Sequence, residues 1–489
     1  MNGERLKNYV DGAWVESSGT TTTDVKNPAT GRTLAKTPMS TATDVDRAVK
    51  AAQAAFPAWR AQAPAARARY LFKLKGLLDD ARDEIAKICT TEHGKTYAES
   101  FNDIGRGIEN VEHACGIPTL MMGQSAELNP ADGAGGIDCA SWRQPMGVFS
   151  AITPFNFPPM VPLWFLPYAV ATGNTFVLKP SEQVPLSQRK IFELIERAGF
   201  PKGVLNLVNG GKEVVEGLCS HEQIQGVSFV GSTRIAKLVY ETASKNGKRV
   251  QALGGAKNFL LIDDTAVMEA AVQNACDSGY GCAGQRCLAG STVVAIGNAY
   301  DKVRELLVRF TKSVVVGDGL DPKSTMGPVI SQAARERIAG MIAKGVEEGA
   351  ELLVDGRTFK PAAGYEGGYW LGPTLFDKVK PGMTIAKEEI FGPVINLMRA
   401  DTVEDGIALM NGVPYANAGS IFTSSGKAAR TFKQLAHPAK LGVNIGVAAP
   451  MAHFPFGGAK QSMFGDVKAH GPDAVQFYTD RKVVISRWF

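Results

Sequence analysis

The sequence predicts an α/β fold with two parallel-sheet domains, on three observations. Short β-rich runs (GVFSAITP, NTFVLKP, GVLNLVNG, GVSFVGS and NFLLIDD) alternate with helical stretches such as SQRKIFELIERAG, which is the spacing of βαβ units. A second series, STVVAIG, INLMRA, GSIFTSS and LGVNIG, follows residue 287 with AARERIAGMIAKGVEEGA among its helical connections. The chain is also 489 residues long with 45% hydrophobic content, enough for several packed cores.

In chain order, the strand-like YVDGAW and the turn NPATG come first. Three stretches with helical periodicity follow: DVDRAVKAAQAAFPAWR, ARARYLFKLKGLLDDARDEIAKICTTE and YAESFNDIGRGIENVEHAC. The Gly/Asp-rich NPADGAGGID then marks the change to the β-rich pattern. The C-terminal AVQFYTDRKVVISRWF alternates as a strand does, and a lone terminal strand needs a partner, either elsewhere in the chain or on another subunit. The stretch from Gln144 to Leu178 carries no charge and is long enough to cross a bilayer. Its prolines at 154, 158, 159, 162 and 167 would leave backbone groups unsatisfied in lipid, so it reads as buried strand, loop and helix, with no membrane partner.

Charged residues make up 21% of the chain with both signs mixed, and the net +5 forms no basic block, so nucleic acid is not an expected partner. Seven scattered cysteines are too few and too irregular for a disulfide framework, and the N-terminus shows no export signal; a reducing, cytoplasmic setting is expected. Cys276, Cys282 and Cys287 match no zinc spacing and no histidine accompanies them, so no metal is expected. Glycines at 281, 284 and 290 allow close backbone approach to Cys287, and Arg286 beside it would raise its thiolate fraction. Both a nucleophile and a buried structural cysteine remain open on these grounds. VLKPSE places Lys179 and Glu182 just past a predicted strand, where open α/β sheets bind ligands. The turn after FVG at Gly231 enters a helix but lacks the full dinucleotide fingerprint.

Six motifs in order, PFNFP (154–158), VLKPSE (177–182), FVGST (229–233), GQRC (284–287), EEIFGPV (388–394) and PFGG (455–458), resemble the aldehyde dehydrogenase superfamily over essentially the whole chain. ITPFNFPPMVP, RVQALGGAKN, GCAGQRCLA and GVNIGVAAPMAHFPF resemble more narrowly its coenzyme A-acylating, methylmalonate-semialdehyde branch. The resemblance implies a Rossmann-like NAD-binding domain (1–125 and 147–253), an α/β catalytic domain (254–455), and an oligomerisation β-ribbon with C-terminal strand (126–146 and 456–489) serving a homodimer or homotetramer. It implies Cys287 as nucleophile and Asn156 as oxyanion donor. Lys179 and Glu182 would meet the adenosine ribose, Ser232 the pyrophosphate, and Glu389 with Phe391 the nicotinamide ribose, while Thr153, Phe155, Gln183 and Gly254 complete the cofactor site. Arg106 and Arg286 would hold a substrate carboxylate. NAD is the implied cofactor, with coenzyme A and a carboxylated aldehyde as small-molecule partners.

One departure narrows the chemistry. Hydrolytic members carry a glutamate in an E-L-G-G-K motif; with the lysine aligned on Lys257 without a gap, Leu253 stands in its place. Water, with a pKa of about 15.7, needs a base to attack a thioester, whereas a thiol of pKa ~8.5 is already partly thiolate at neutral pH. The expected activity is therefore oxidation of methylmalonate or malonate semialdehyde to propionyl- or acetyl-CoA with loss of carbon dioxide. The alternatives are a hydrolytic aldehyde dehydrogenase and a catalytically silent protein on the same fold.

Overall fold

Two main sheets carry the structure, a computed structural model that describes residues 3–128, 131 and 135–488. The first has eight strands. Its parallel centre runs Arg249–Leu253, Ile224–Val230, Val148–Ile152, Thr175–Lys179, Leu205–Leu207, and antiparallel strands flank it at both ends. The second has seven, in the order Glu351–Val354, Thr374–Asp377, Val394–Ala400, Thr292–Ile296, Phe259–Ile262, Ala418–Phe422, Lys440–Val443, all parallel except the first.

The central strands are buried on both faces, as parallel strands covered by crossover helices must be. That explains why they read as continuous apolar runs. The chargeless stretch resolves into the strand Val148–Ile152, a loop, the helix Pro162–Ala171 and the strand Thr175–Lys179, nearly all buried. Among the described residues no helix is long and apolar enough to cross a membrane.

The long helical stretch of the first third is two helices, Pro64–Asp80 and Arg82–His93, broken at Ala81. Tyr97–Cys115 forms one helix over the whole span its periodicity marks, started by a capping box between Thr96 and Glu99. Among the described residues, four strands of the two main sheets were not among those expected, one of them the two-residue Met463–Phe464. Arg249–Leu253 begins with a charge and is followed by two glycines, Glu351–Val354 is four residues opened by a charge, and Thr374–Asp377 is four residues with polar ends.

The C-terminal alternation is only partly strand. Gly471–Phe477 is a helix opened by Pro472 in its first turn, and Thr479–Arg487 is the strand. The strand finds its partner within the chain, pairing antiparallel with Ile137–Pro145, which also pairs with Gln124–Ala126. Within 456–489, Met463–Phe464 joins the first sheet beside Arg249–Leu253, and Val475 and Phe477 enter that sheet's core. Residues 129–130 and 132–134 of the expected ribbon lie outside the described residues.

Candidate active site

The residues expected to hold a dinucleotide gather along one edge of the first sheet, past the carboxyl ends of its parallel strands. Strand Val148–Ile152 delivers Thr153, Phe155 and Asn156; Thr175–Lys179 delivers Lys179, Glu182 and Gln183; Ile224–Val230 delivers Ser232; Arg249–Leu253 delivers Gly254. Lys179 Nζ meets Glu182 Oε2 at 2.8 Å. Burial opposes ionisation of Glu182, but the charge and hydrogen bond of Lys179 outweigh it and hold the carboxyl below its ordinary range. Ser232 is the N-cap of Thr233–Lys245 yet its hydroxyl makes no capping bond, which leaves it and the helix N-terminus free to meet an anion.

At the other end of this edge the chain packs too closely for side chains. A Cβ on Gly254 would lie 2.9 Å from the Gln461 carbonyl, and one on Gly255 would lie 2.5 Å from Glu389 Oε2. The Ala256 N–H donates to Glu389 Oε1 at 3.0 Å. Burial pushes the Glu389 carboxyl up to about 7, against that hydrogen bond and the charges of Lys257 and Arg337. Phe391, held at φ 50°, meets Phe155 edge to face at 5.8 Å, and Phe155 stacks on His93 at 6.0 Å.

Cys287 lies in the loop leading to strand Thr292–Ile296 of the second sheet. Its carbonyl accepts from Asn258 Nδ2 and from Asn417 Nδ2, both at 2.9 Å, so two asparagines at the starts of neighbouring strands fix its backbone. Asn156 Nδ2 donates to the Gln285 carbonyl at 3.1 Å. An amide has two N–H groups, so the second remains for a ligand oxygen. Lys95, fully buried and paired with Asp103 at 2.9 Å, donates to the Asn156 backbone carbonyl at 2.5 Å and holds that residue from behind. Burial and the charge of Glu389 push the half-buried Cys287 thiol up to about 12, opposed by its own backbone N–H, Lys440 and Arg286.

Arg286 does not turn toward the sulfur of Cys287. Its Nη2 pairs with Glu99 at 2.9 Å and its Nε donates to Cys282 Sγ at 3.2 Å. Gly281 makes room for this arrangement, since a Cβ there would stand 2.3 Å from Arg286 Nη1. Gly284, at φ 70°, lets the turn lie against the Gly392 carbonyl, where a Cβ would come to 1.9 Å. Arg106 pairs with Glu109 at 2.9 Å on the helix surface. Arg106, Arg286, Cys282, Cys287, Leu288 and Trp164 line one pocket of about 180 Å³. Leu253 belongs to the same apolar cluster that Cys287 packs against. Lys95, Glu99, Asp103, Asn258, Asn417 and Lys440 escaped the sequence reading, because each is an ordinary polar residue whose place depends on distant segments. Among the described residues, no group of three or more His, Cys, Asp or Glu side chains is placed to hold a metal ion.

Residues 14–484 match the model of the aldehyde dehydrogenase family. The chain belongs to that family. It is 48% identical over 486 residues to a malonate-semialdehyde dehydrogenase of Bacillus cytotoxicus, covering 99% of each chain. To malonate-semialdehyde dehydrogenase 1 of Geobacillus kaustophilus it is 49% identical over 483 residues, covering 99% of this chain and 98% of the other. The structure superposes on the methylmalonate-semialdehyde dehydrogenase of Oceanimonas doudoroffii with a TM-score of 0.96 at 44% identity, covering 100% and 99% of the two chains. A Sinorhizobium meliloti protein assigned to the same activity and crystallised with NAD gives 0.97 at 42% identity, over 99% and 98%.

Proposed function

We propose that this aldehyde dehydrogenase oxidises malonate or methylmalonate semialdehyde with NAD and passes the acyl group to coenzyme A, yielding acetyl- or propionyl-CoA and carbon dioxide. The observation that carries this reading is the pocket that Cys287 shares with two arginines, Arg106 and Arg286; in sequence, Leu253 stands where hydrolytic members carry their base. The names of the relatives at 48–49% identity point the same way.

The first-sheet edge fits a dinucleotide, because Lys179, Glu182 and Ser232 stand past the carboxyl ends of parallel strands and Ser232 opens an uncapped helix N-terminus. Lys179 and Glu182 would hold the adenosine ribose, Ser232 the pyrophosphate, and Glu389 with Phe391 the nicotinamide ribose, lined by Thr153, Phe155, Gln183 and Gly254. A carboxylate such as Glu182 accepts from both ribose hydroxyls and repels a 2′-phosphate, which favours NAD. When bound, NAD supplies the acceptor for the hydride lost from the aldehyde carbon.

Cys287 attacks the aldehyde carbon as its thiol proton passes to water, and the resulting oxyanion takes the free N–H of Asn156 and the Cys287 backbone N–H. Loss of hydride turns this thiohemiacetal into a thioester on Cys287. Arg106 and Arg286 orient the substrate carboxylate through paired hydrogen bonds. That carboxylate lies β to the thioester carbonyl, so its electrons can move toward the carbonyl as carbon dioxide departs, and the enolate left behind takes a proton from water at its α-carbon. The coenzyme A thiolate then attacks the thioester and releases Cys287.

Most cofactor residues come from the first-sheet unit and the nucleophile from the second, with Asn156 and Arg106 supplied by the first and Glu389 and Phe391 by the second. The ribbon edge strand Thr479–Arg487 exposes Val483 and Ile485, a surface suited to self-association as a dimer or tetramer in the cytoplasm. Incubating the protein with NAD and malonate semialdehyde, with and without coenzyme A, tests the reading. NADH and acetyl-CoA formation that depends on coenzyme A is expected; equal turnover without it would favour hydrolysis, and no NADH would favour a silent protein.

A further inference from the structure

Near the reactive thiol, three cations have a carboxylate partner and a fourth has none. Arg286 has Glu99, Arg106 has Glu109 and Lys95 has Asp103. Lys440 has no counterpart: among the described residues its Nζ meets neither a carboxylate nor a hydrogen-bond acceptor, and lies over the Phe456 ring at 5.0 Å. Phe456 packs edge-on against Trp164 at 4.9 Å, and Trp164 is a wall of the thiol pocket. The lysine backbone is tied to the same place, since its N–H donates to the Asn417 carbonyl at 3.1 Å while the Asn417 side chain holds the Cys287 carbonyl. A half-buried ammonium without a counter-ion is costly, and a cation–π contact worth ~0.5–2 kcal/mol offsets only part of that cost.

We propose that Lys440 is a specificity-determining cation of this site: its ammonium supplies the unbalanced positive charge that answers the substrate carboxylate, while Arg106 and Arg286, neutralised by Glu109 and Glu99, supply directional hydrogen bonds. This rests on the carboxylated-aldehyde reading above. Burial draws Lys440 down to about 8, with the Cys287 charge opposing and Arg106 adding to the fall. The ammonium is therefore present below pH ~8 and lost above it, and preference for a carboxylated aldehyde is lost in the same direction.

The titratable groups interacting with Lys440 are Cys287 in its loop, Arg106 on the helix Tyr97–Cys115, and His470 ahead of the helix Gly471–Phe477, which His113 also faces. Burial, with the charges of Lys440 and His113, holds His470 down to about 3, and burial with the charge of His453 lowers His113, so neither gains charge in that window. Glu389, whose charge acts on Cys287, and Lys257, on which Glu389 acts, are each near 7 and weigh on both aldehydes alike.

The test is the ratio of kcat/KM for malonate semialdehyde to that for propanal, with saturating NAD and coenzyme A, between pH 7 and 9.5. In the unaltered enzyme the ratio should be high at pH 7 and fall as pH rises through about 8. Lys440→Met should lower it about tenfold or more at pH 7 and flatten the profile, with propanal kcat/KM falling far less than that for malonate semialdehyde. Lys440→Arg should keep the ratio and remove its decline. An unchanged ratio in Lys440→Met, or equal losses for both aldehydes, would overturn the inference. An unaltered enzyme without preference for the carboxylated aldehyde would instead overturn the reading on which it rests.

Discussion

The cofactor edge and the thiol pocket are built on opposite plans. At the edge, each proposed cofactor residue of the first sheet follows directly after a parallel strand, so a short segment brings its chemistry with it. At the pocket, the side chains come from a helix of the first third, the loop after Ile152, the turn around residue 284 and the segment 447–450. The edge is therefore modular and tolerant, while the pocket depends on simultaneous packing of four remote segments. Lys440 and Asn417, from the far side of the second sheet, tighten that dependence.

If this contrast is correct, damage at the pocket should cost turnover and leave NAD binding intact. Cys287→Ala is expected to have the largest effect, abolishing NADH formation while fluorescence titration shows unchanged NAD affinity; full activity would remove Cys287 as nucleophile. Asn156→Ala should lower kcat by ~10²–10³ with modest change in KM, as loss of one oxyanion donor does, measured in steady state. Arg286→Ala and Arg106→Ala should raise KM for malonate semialdehyde by roughly one to two orders of magnitude and affect propanal far less. Parallel losses would make these arginines structural, and a fall in Tm confined to Arg286→Ala would report Glu99 left without its partner. The smallest effect is expected from Leu253→Glu, which should restore a minor hydrolytic fraction at some cost in stability, because Leu253 is buried. Product partition between malonate-derived acid and acetyl-CoA measures it.

The same contrast explains what the sequence made legible. Strand–turn units such as VLKPSE and FVGST carry function in consecutive residues, and apolar runs bounded by Gly and Pro give the central strands directly. Residues 249–253 were visible as a motif but not as a strand, because a charge and two glycines bound a short run. AVQF alternates in sequence yet closes a helix, its apolar residues drawn into the first core. The cation beside Cys287 was visible, but not its engagement with Glu99 and Cys282, contacts across a turn with three successive residues at positive φ. Lys440, between Ala439 and Leu441, has no local signature; its meaning comes from Phe456, Asn417 and Cys287, each remote in sequence.

The central claim is that water cannot clear the acyl group from Cys287 and coenzyme A can. Stopped-flow mixing of the enzyme and NAD with excess malonate semialdehyde, omitting coenzyme A, measures this directly. A burst of about one NADH per Cys287 followed by near-arrest, with turnover resuming on addition of coenzyme A, is the predicted result. Sustained linear NADH production in the absence of coenzyme A would contradict it.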